Sequence, residues 1–343
     1  MKGKIVVGSN GFSQYILTLT LYDHLCSFKR VGLKIPDRAE IDEVEGGLIQ
    51  KIKKTFAGSK SVVEIIQFGD FCDGIVSAAK EIKVRMPDAT IITTTPMISY
   101  EAGGTCIGLS RLIDFEGNII SVGSRAGSGS VESQIELVSR ELAGKRVIIL
   151  EDGAFTGSTL CFMIDQLSKR KVNVAAIVMG ILFPDAKERL AKTFTGELVW
   201  HYHFEKPVDW MPSHDFFPFV PNAGRVIGVK VGESLIPVHL FDRSTLSKPY
   251  ILPYGKLKEW AGLPMSQDEL LWLSQYCIMS TIKIFQRMEE LNSRPVCVGD
   301  LLDTRPITSV PVAYGRKLVE FYSLGDRVID LLNNDYARLN EVD

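Results

Sequence analysis

The feature that most constrains this chain is an uninterrupted apolar run, Val147-Ile148-Ile149-Leu150, that ends in two acids and a turn of small residues. A run of that length and composition suits a parallel strand buried on both faces, because only layers on each side of a sheet keep all four side chains from water. Directly after it stand Glu151-Asp152-Gly153-Ala154-Phe155-Thr156-Gly157-Ser158-Thr159, and residues 159–167 have helical spacing. Buried strand, short turn and helix make the repeating unit of an open α/β sheet, whose ligands gather at the carboxyl ends of the strands.

The flanking sequence extends that pattern. Residues 62–68 and 89–95 have strand composition, with Pro96 ending the second, and residues 75–84 between them have helical spacing. Together they predict one βαβ unit with a right-handed crossover. Residues 106–112 and 118–122 predict a hairpin around Glu116-Gly117-Asn118. Residues 123–130, Gly-Ser-Arg-Ala-Gly-Ser-Gly-Ser, carry nothing large enough to pack and predict a mobile segment. A helix over 131–142 follows, closed by Gly144 and Lys145. Strands over 174–178 and 197–200 and a helix over 185–192 bring the total to about five strands. The expected fold class is α/β, a doubly wound, mostly parallel sheet with an N-terminal extension and a helical C-terminal region. The expected divisions are 1–60 (extension), 61–235 (core, with an aromatic segment at 200–235) and 236–343.

Within the extension a lysine-rich stretch at 47–55 reads as helical, and Gly8-Ser9-Asn10-Gly11 reads as a turn or a ligand approach. Toward the other end, Ser266-Gln267-Asp268-Glu269 has capping-box spacing. The stripe Leu270, Leu273, Cys277, Ile284 and Met288 behind it suits helix packing or a dimer face. A further helix is expected over 318–332.

Bulk properties narrow the function classes. A chain of 343 residues with a formal net charge of -2 gives no general attraction to nucleic acid or to an anionic membrane. Its six cysteines show no C-x-x-C spacing, which disfavours a structural zinc site or a disulfide framework. The N-terminal apolar stretch is too short for a signal peptide, and no run reaches the roughly 18 apolar residues of a membrane span. The reading is a cytoplasmic protein.

The chemistry sits after the buried strand. Thr156-Gly157-Ser158-Thr159 offers free backbone N–H groups, hydroxyls and the positive end of a helix dipole, which suit a phosphate monoester. Glu151 and Asp152 repel a phosphate but suit vicinal hydroxyls. A ligand carrying both groups is a ribose 5-phosphate.

Residues 147–160 resemble the phosphoribosyl pyrophosphate (PRPP) signature of type I phosphoribosyltransferases: four apolar residues, two acids, a short variable stretch, then Thr-Gly-x-Thr or Ser. The resemblance covers roughly residues 61–200. It implies Mg²⁺-dependent transfer of ribose 5-phosphate from PRPP to a nitrogenous base, with release of pyrophosphate, in a homodimer. Glu151 and Asp152 would hold the ribose hydroxyls directly or through Mg²⁺. Gly153, Ala154, Phe155, Thr156, Gly157, Ser158 and Thr159 would wrap the 5-phosphate. Gly69, Asp70, Phe71, Cys72 and Asp73, with Gly74, would form a pyrophosphate loop, although the same residues also read as an ordinary strand-to-helix turn. Residues 99–130 would supply a closing lid, with Arg111 and Arg125 neutralising the leaving group. Phe155 stands where hypoxanthine–guanine enzymes carry an acid, which argues against a 6-oxopurine acceptor. Two further features stay open. His201 and His203 can pair on one side of a strand, and the aromatic run 210–219 suits either a flap over a planar base or core packing. A non-catalytic module that senses a nucleotide or PRPP, or a nucleotide-cleaving relative, is the alternative reading.

Overall fold

A computed structural model describes residues 2–8, 10–125, 128–232, 234–241, 244–301, 307–309 and 323–339. In chain order the elements begin with β1 (Lys2–Val7), β2 (Ser13–Leu19), α1 (Leu21–Leu25), α2 (Arg38–Thr55), β3 (Ser61–Gln67), α3 (Phe68–Arg85), β4 (Thr90–Thr93) and α4 (Pro96–Ala102). They continue through β5 (Thr105–Cys106), β6 (Leu109–Ile113), β7 (Ile119–Ser124), α5 (Val131–Leu142), β8 (Arg146–Ala154), α6 (Ser158–Lys169), β9 (Asn173–Leu182), α7 (Pro184–Thr193) and β10 (Glu197–Phe204). Then come β11 (Pro207–Pro212), β12 (Arg225–Val231), β13 (Ser234–Pro237), β14 (His239–Phe241), β15 (Ser244–Lys248), α8 (Leu257–Trp260), α9 (Gln267–Asn292), α10 (Val298–Leu301), β16 (Ile307–Ser309) and α11 (Val328–Arg338).

The chain forms two compact units. The first comprises Met1–Gln14, Ile66–Ser110 and Val122–Pro207, and the second Tyr15–Ile65, Arg111–Ser121 and Val208–Asp343. This differs from the expected divisions at 60 and 235. The N-terminal residues are not a separate extension, because β1 pairs in parallel with β10 and so completes the sheet of the first unit.

That sheet has six strands in the order β1-β10-β9-β8-β4-β5, every pair parallel. The four consecutive apolar residues of β8, Val147 to Leu150, are all 0% exposed. Burying each is worth roughly 1.5–3 kcal/mol, which fixes β8 at the centre. The helices α5, α6 and α7 share one apolar cluster with the sheet, and α3 packs against β8, β9 and β10. From β4 the chain steps outward to β5, then returns to β8 on the other side of β4 and continues to β9 and β10. The order therefore reverses between β4 and β8, which makes the crevice outside their carboxyl ends the topological switch point.

Three expectations need correction. The strand at 61–67 does form, but β3 lies in a three-stranded sheet ordered β11-β2-β3, so β3, α3 and β4 are not a βαβ unit of one sheet. The helix after it starts at Phe68, seven residues earlier than expected. Residues 123–130 are also less open than their composition predicts. Ser124 is buried within β7, the Gln134 amide donates to the Gly129 carbonyl (2.7 Å), and the Ser130 hydroxyl accepts from the Ser133 N–H (3.1 Å) to cap α5. Ala126 and Gly127 lie outside the described residues.

A further sheet, ordered β14-β15-β12-β6-β7, adds β13 on β12 and β16 on β15. The hairpin of β6 and β7 appears as expected, its turn closed by the Asn118 N–H on Asp114 Oδ1 (2.7 Å). The C-terminal region is helical where expected, since α9 carries the reciprocal Ser266–Glu269 capping box and buries Leu270, Leu273, Cys277, Ile284 and Met288. The stretch at 47–55 is the second half of α2, which begins earlier at its own capping box, Asp37 with Glu40. The last helix runs over Val328–Arg338 rather than 318–332, and residues 318–322 lie outside the described residues.

Candidate functional site

The site is built on the switch point, with β8 supplying the acids. Register keeps β8 hydrogen-bonded to β9 through Ala154, paired with Leu182, and the Ala154 carbonyl accepts the Phe183 N–H (3.2 Å). Gly153 and Ala154 are thus committed to the sheet, and the turn proper narrows to Phe155, Thr156 and Gly157. The Phe155 ring packs against Phe183, centroids 4.7 Å apart.

The turn needs a glycine. Gly157 has φ +71°, a left-handed conformation that side chains rarely adopt, and it leads straight into α6. Among the described residues no side chain caps α6. Thr156 Oγ1 instead meets Ser158 Oγ at 2.9 Å and reaches the Ser158 N–H only at 3.5 Å. The first N–H groups of a twelve-residue helix therefore lack a strong internal acceptor, with two hydroxyls beside them. An anion fits there.

The acids are held differently. Asp152 Oδ1 accepts the Gly153 N–H at 2.7 Å. Glu151 accepts a hydrogen bond from the Thr94 hydroxyl. Burial and then the Asp152 charge push the Glu151 carboxyl well above the usual range, while the Thr94 bond and the Arg125 charge pull it back. The site thus favours the neutral form of Glu151 more than water does. Arg125 reaches Glu151 through its field and donates from Nε to the Leu109 carbonyl (3.3 Å).

A second strand end faces this turn. Thr93 pairs with Leu150, and the Thr94 N–H donates to the Leu150 carbonyl (3.3 Å). The Thr93 hydroxyl accepts the Thr95 N–H (3.1 Å), folding residues 93–95 over before α4 begins at Pro96. Thr95 Oγ1 is buried and has no hydrogen-bond partner among the described residues. These threonines were missed in the sequence reading. A signal was present: three hydroxyls at the end of a β-branched strand, closed by proline.

The segment expected to form a pyrophosphate loop is helical instead. Gly69, Asp70, Phe71, Cys72, Asp73 and Gly74 are the first turns of α3, not a loop. Phe71 and Cys72 are buried on its inner face, while Asp70 and Asp73 are exposed. Asp70 in the first turn complements the helix dipole, which gives that acid a structural reason to be there. Arg111 belongs to the second unit, where its charge acts on Asp209. His201 packs against Gly74, and His203 donates from Nδ1 to the Leu182 carbonyl (2.7 Å). Among the described residues no group of three or more His, Cys, Asp or Glu is placed to hold a metal ion. In the aromatic run Phe216, Phe217 and Phe219 are core, and Trp210 Nε1 donates to Thr18 Oγ1 (2.9 Å).

No family model and no curated protein matches this chain. It is similar to solved structures of adenine phosphoribosyltransferase from Rhodothermus marinus (11% identity, 40% of this chain and 78% of that one, TM-score 0.28). The same holds for the enzyme from Thermoanaerobacter pseudethanolicus (16%, 39% and 80%, TM-score 0.27). A purine phosphoribosyltransferase from Pyrococcus horikoshii gives 15% identity, 41% and 87% coverage and a TM-score of 0.26. Overlaps of this size bear on nothing beyond that similarity, and the function has to come from the residues of the site.

Proposed function

We propose that the chain transfers ribose 5-phosphate from PRPP to a nitrogenous base. The base nitrogen forms a bond to C1 of the ribose, the bond from C1 to pyrophosphate breaks, and the pyrophosphate leaves with its electron pair. The observation that carries this reading is the uncapped start of α6, with Thr156 and Ser158 beside it, one turn from the Glu151–Asp152 pair. A phosphate suits the first environment and a diol the second, and a ribose 5-phosphate carries both groups.

Each group then has a role. The N–H groups and hydroxyls at 156–159 hold the 5-phosphate. Asp152 and Glu151 accept from the ribose hydroxyls. Thr94 orients Glu151, and the partnerless Thr95 hydroxyl offers a donor to the pyrophosphate. Arg125 adds positive charge from β7's end, where charge develops on the leaving group. Mg²⁺ fits the donor set in a limited way. Two carboxylates without a third protein ligand suit an ion that keeps waters and takes other oxygens from its substrate. When bound, it would supply positive charge to the pyrophosphate.

Calorimetric titration of PRPP with Mg²⁺, followed by an assay of pyrophosphate released over a panel of bases, tests the proposal. Submillimolar binding and pyrophosphate release with at least one base are expected. Binding without release from any base would leave a sensing module. If Glu151→Gln together with Asp152→Asn left PRPP binding unchanged, the acid pair would not be the ribose site and the reading would be lost.

A further inference from the structure

The long helix α9 carries a second apolar stripe besides the one that faces its core. Trp272, Tyr276 and Met279 recur at four- and three-residue spacing, which puts them on one face. Trp272 is 40% exposed and Met279 38%, so this stripe lies at the surface. Beside it α2 runs in the opposite direction. Lys51 Nζ sits 3.3 Å from the Trp272 ring centroid, the Tyr276 hydroxyl donates to the Val44 carbonyl (2.7 Å), and Arg287 pairs with Glu40 (2.8 Å). A groove of about 750 Å³ lies between the two helices, with Gly46 and Gly47 on one wall and Tyr276 and Lys283 on the other.

The two glycines are the middle residues of α2, where glycine destabilises a helix relative to alanine. A Cβ on Gly47 would collide with the Tyr276 hydroxyl, so Tyr276 accounts for that position. A Cβ on Gly46 would meet nothing within 4 Å, so packing among the described residues does not account for the other. Charge is polarised along the same face. On α2, Glu40 and Glu43 precede the glycines and Lys51 and Lys54 follow them. On α9 the order is reversed in space, with Asp268 at the lysine end and Lys283 at the acid end. Glu43, Lys54, Asp268 and Lys283 are all exposed, and among the described residues none of them forms an ion pair.

This pattern is its own complement. A two-fold axis lying in the surface and crossing both helices lays α2 antiparallel on its copy, and α9 likewise. Glu43 then comes opposite the partner's Lys54, Asp268 opposite the partner's Lys283, and Trp272 opposite the partner's Met279. The three pairings share one register, centred just past Gly47 on α2 and at Tyr276 on α9, so one rotation satisfies them together. The Trp272 ring gains a thioether neighbour, and the open space at Gly46 lets the two α2 backbones approach. We propose that this α2–α9 face is a two-fold interface between copies of this chain. From Asp268 to Lys283 it is about 22 Å long, and at two helix widths it covers roughly 450 Å² per copy. That area is at the low end of specific interfaces, so the dimer is a reversible one that dissociates on dilution. The proposal lies wholly in the second unit and does not rest on the transfer reading.

Sedimentation velocity of the full chain over a hundredfold range of concentration tests it, with circular dichroism confirming that each variant is folded. The parent is expected to pass from monomer to dimer across that range. Met279→Glu places a charge in the stripe and leaves a monomer throughout. Glu43→Lys and Lys54→Glu, taken singly, each set like charges opposite one another and weaken the dimer tenfold or more. Combined in one chain they exchange the signs, and the double variant recovers to within about threefold of the parent. A parent that stays monomeric would overturn the proposal, as would a dimer indifferent to Met279→Glu, since its interface would lie elsewhere. A double variant no tighter than either single one would also overturn it, because Glu43 and Lys54 would not then face each other. Loss of PRPP binding or transfer changes none of these readouts, so the two proposals fail separately.

Discussion

Gly180→Ala probes whether the central strands and the candidate site are one mechanical object. Gly180 lies in β9, opposite the stretch of β8 where Glu151 pairs with Met179 and Gly153 with Ile181. A Cβ at this position would stand 2.2 Å from Cε2 and Cζ of Phe71 and 2.5 Å from the Asp152 carbonyl oxygen. Non-bonded carbons settle at about 3.5–4.0 Å, so the added methyl overlaps the ring by more than an ångström and also crowds the carbonyl oxygen. Phe71 is 1% exposed and has no free space to turn into, and the Asp152 oxygen belongs to a paired strand. Overpacking of a well-filled core costs about 1–3 kcal/mol, and two rigid neighbours place this substitution near 3 kcal/mol. Urea unfolding followed by circular dichroism gives that cost, and titration with PRPP and Mg²⁺ reads the site in the same samples. Phe71→Leu in the Gly180→Ala background relieves the ring and is expected to recover about 1 kcal/mol relative to additivity. It does not relieve the Asp152 carbonyl, so PRPP binding stays weak in the double variant. A Gly180→Ala chain within about 0.5 kcal/mol of the parent, with unchanged PRPP affinity, would refute the packing argument and the link from β9 to Asp152 together.

Two further outcomes follow from single contacts. Thr94→Val keeps the β-branched shape that β4 needs but deletes the hydroxyl donated to Glu151. A hydrogen bond of this kind is worth about 1–2 kcal/mol, so PRPP affinity should drop roughly tenfold by calorimetry while the unfolding midpoint moves little. Asp335 is buried, accepts from the Tyr254 hydroxyl at 2.7 Å and sits beside Arg338 at 3.2 Å, yet burial raises its carboxyl to about 6. Because the folded chain holds this proton more tightly than the unfolded one, the group adds stability as pH falls from about 6 toward 4 and loses it on the way up. The shift of about two pH units corresponds to at most ~3 kcal/mol. Asp335→Asn is always neutral, so its stability relative to the parent should be greater at pH 7 than at pH 4.5, measured by urea unfolding at both. An equal difference at the two pH values would show that Asp335 ionises normally.

What the sequence disclosed was local. Residues 147–150 read as a buried strand because four consecutive apolar side chains need cover on both faces, and β8 has that cover. The hairpin of β6 and β7 and the cap of α9 were legible for the same reason: Gly117 and the Ser266–Glu269 pair act within a few residues of themselves. The start of α3 was misread because Gly69, Asp70, Asp73 and Gly74 have turn composition. Its true signal was the stripe Phe71, Cys72, Ile75, Ala78, Ala79 and Ile82, all buried on one helix face. Gly74 is there because His201 occupies the place of its side chain, a reason that only β10 can supply.

The rest depended on which strands lie side by side, and no local pattern carries that. β3 has the composition of a core strand yet pairs with β2, while β1, with a shorter apolar run, completes the parallel sheet through β10. The consequence reaches the chemistry. With β4 beside β8, the residues next to the acid pair are Thr93, Thr94 and Thr95. The Thr94 hydroxyl reaches Glu151 only because that pairing brings it there, and nothing within residues 90–95 alone states the pairing.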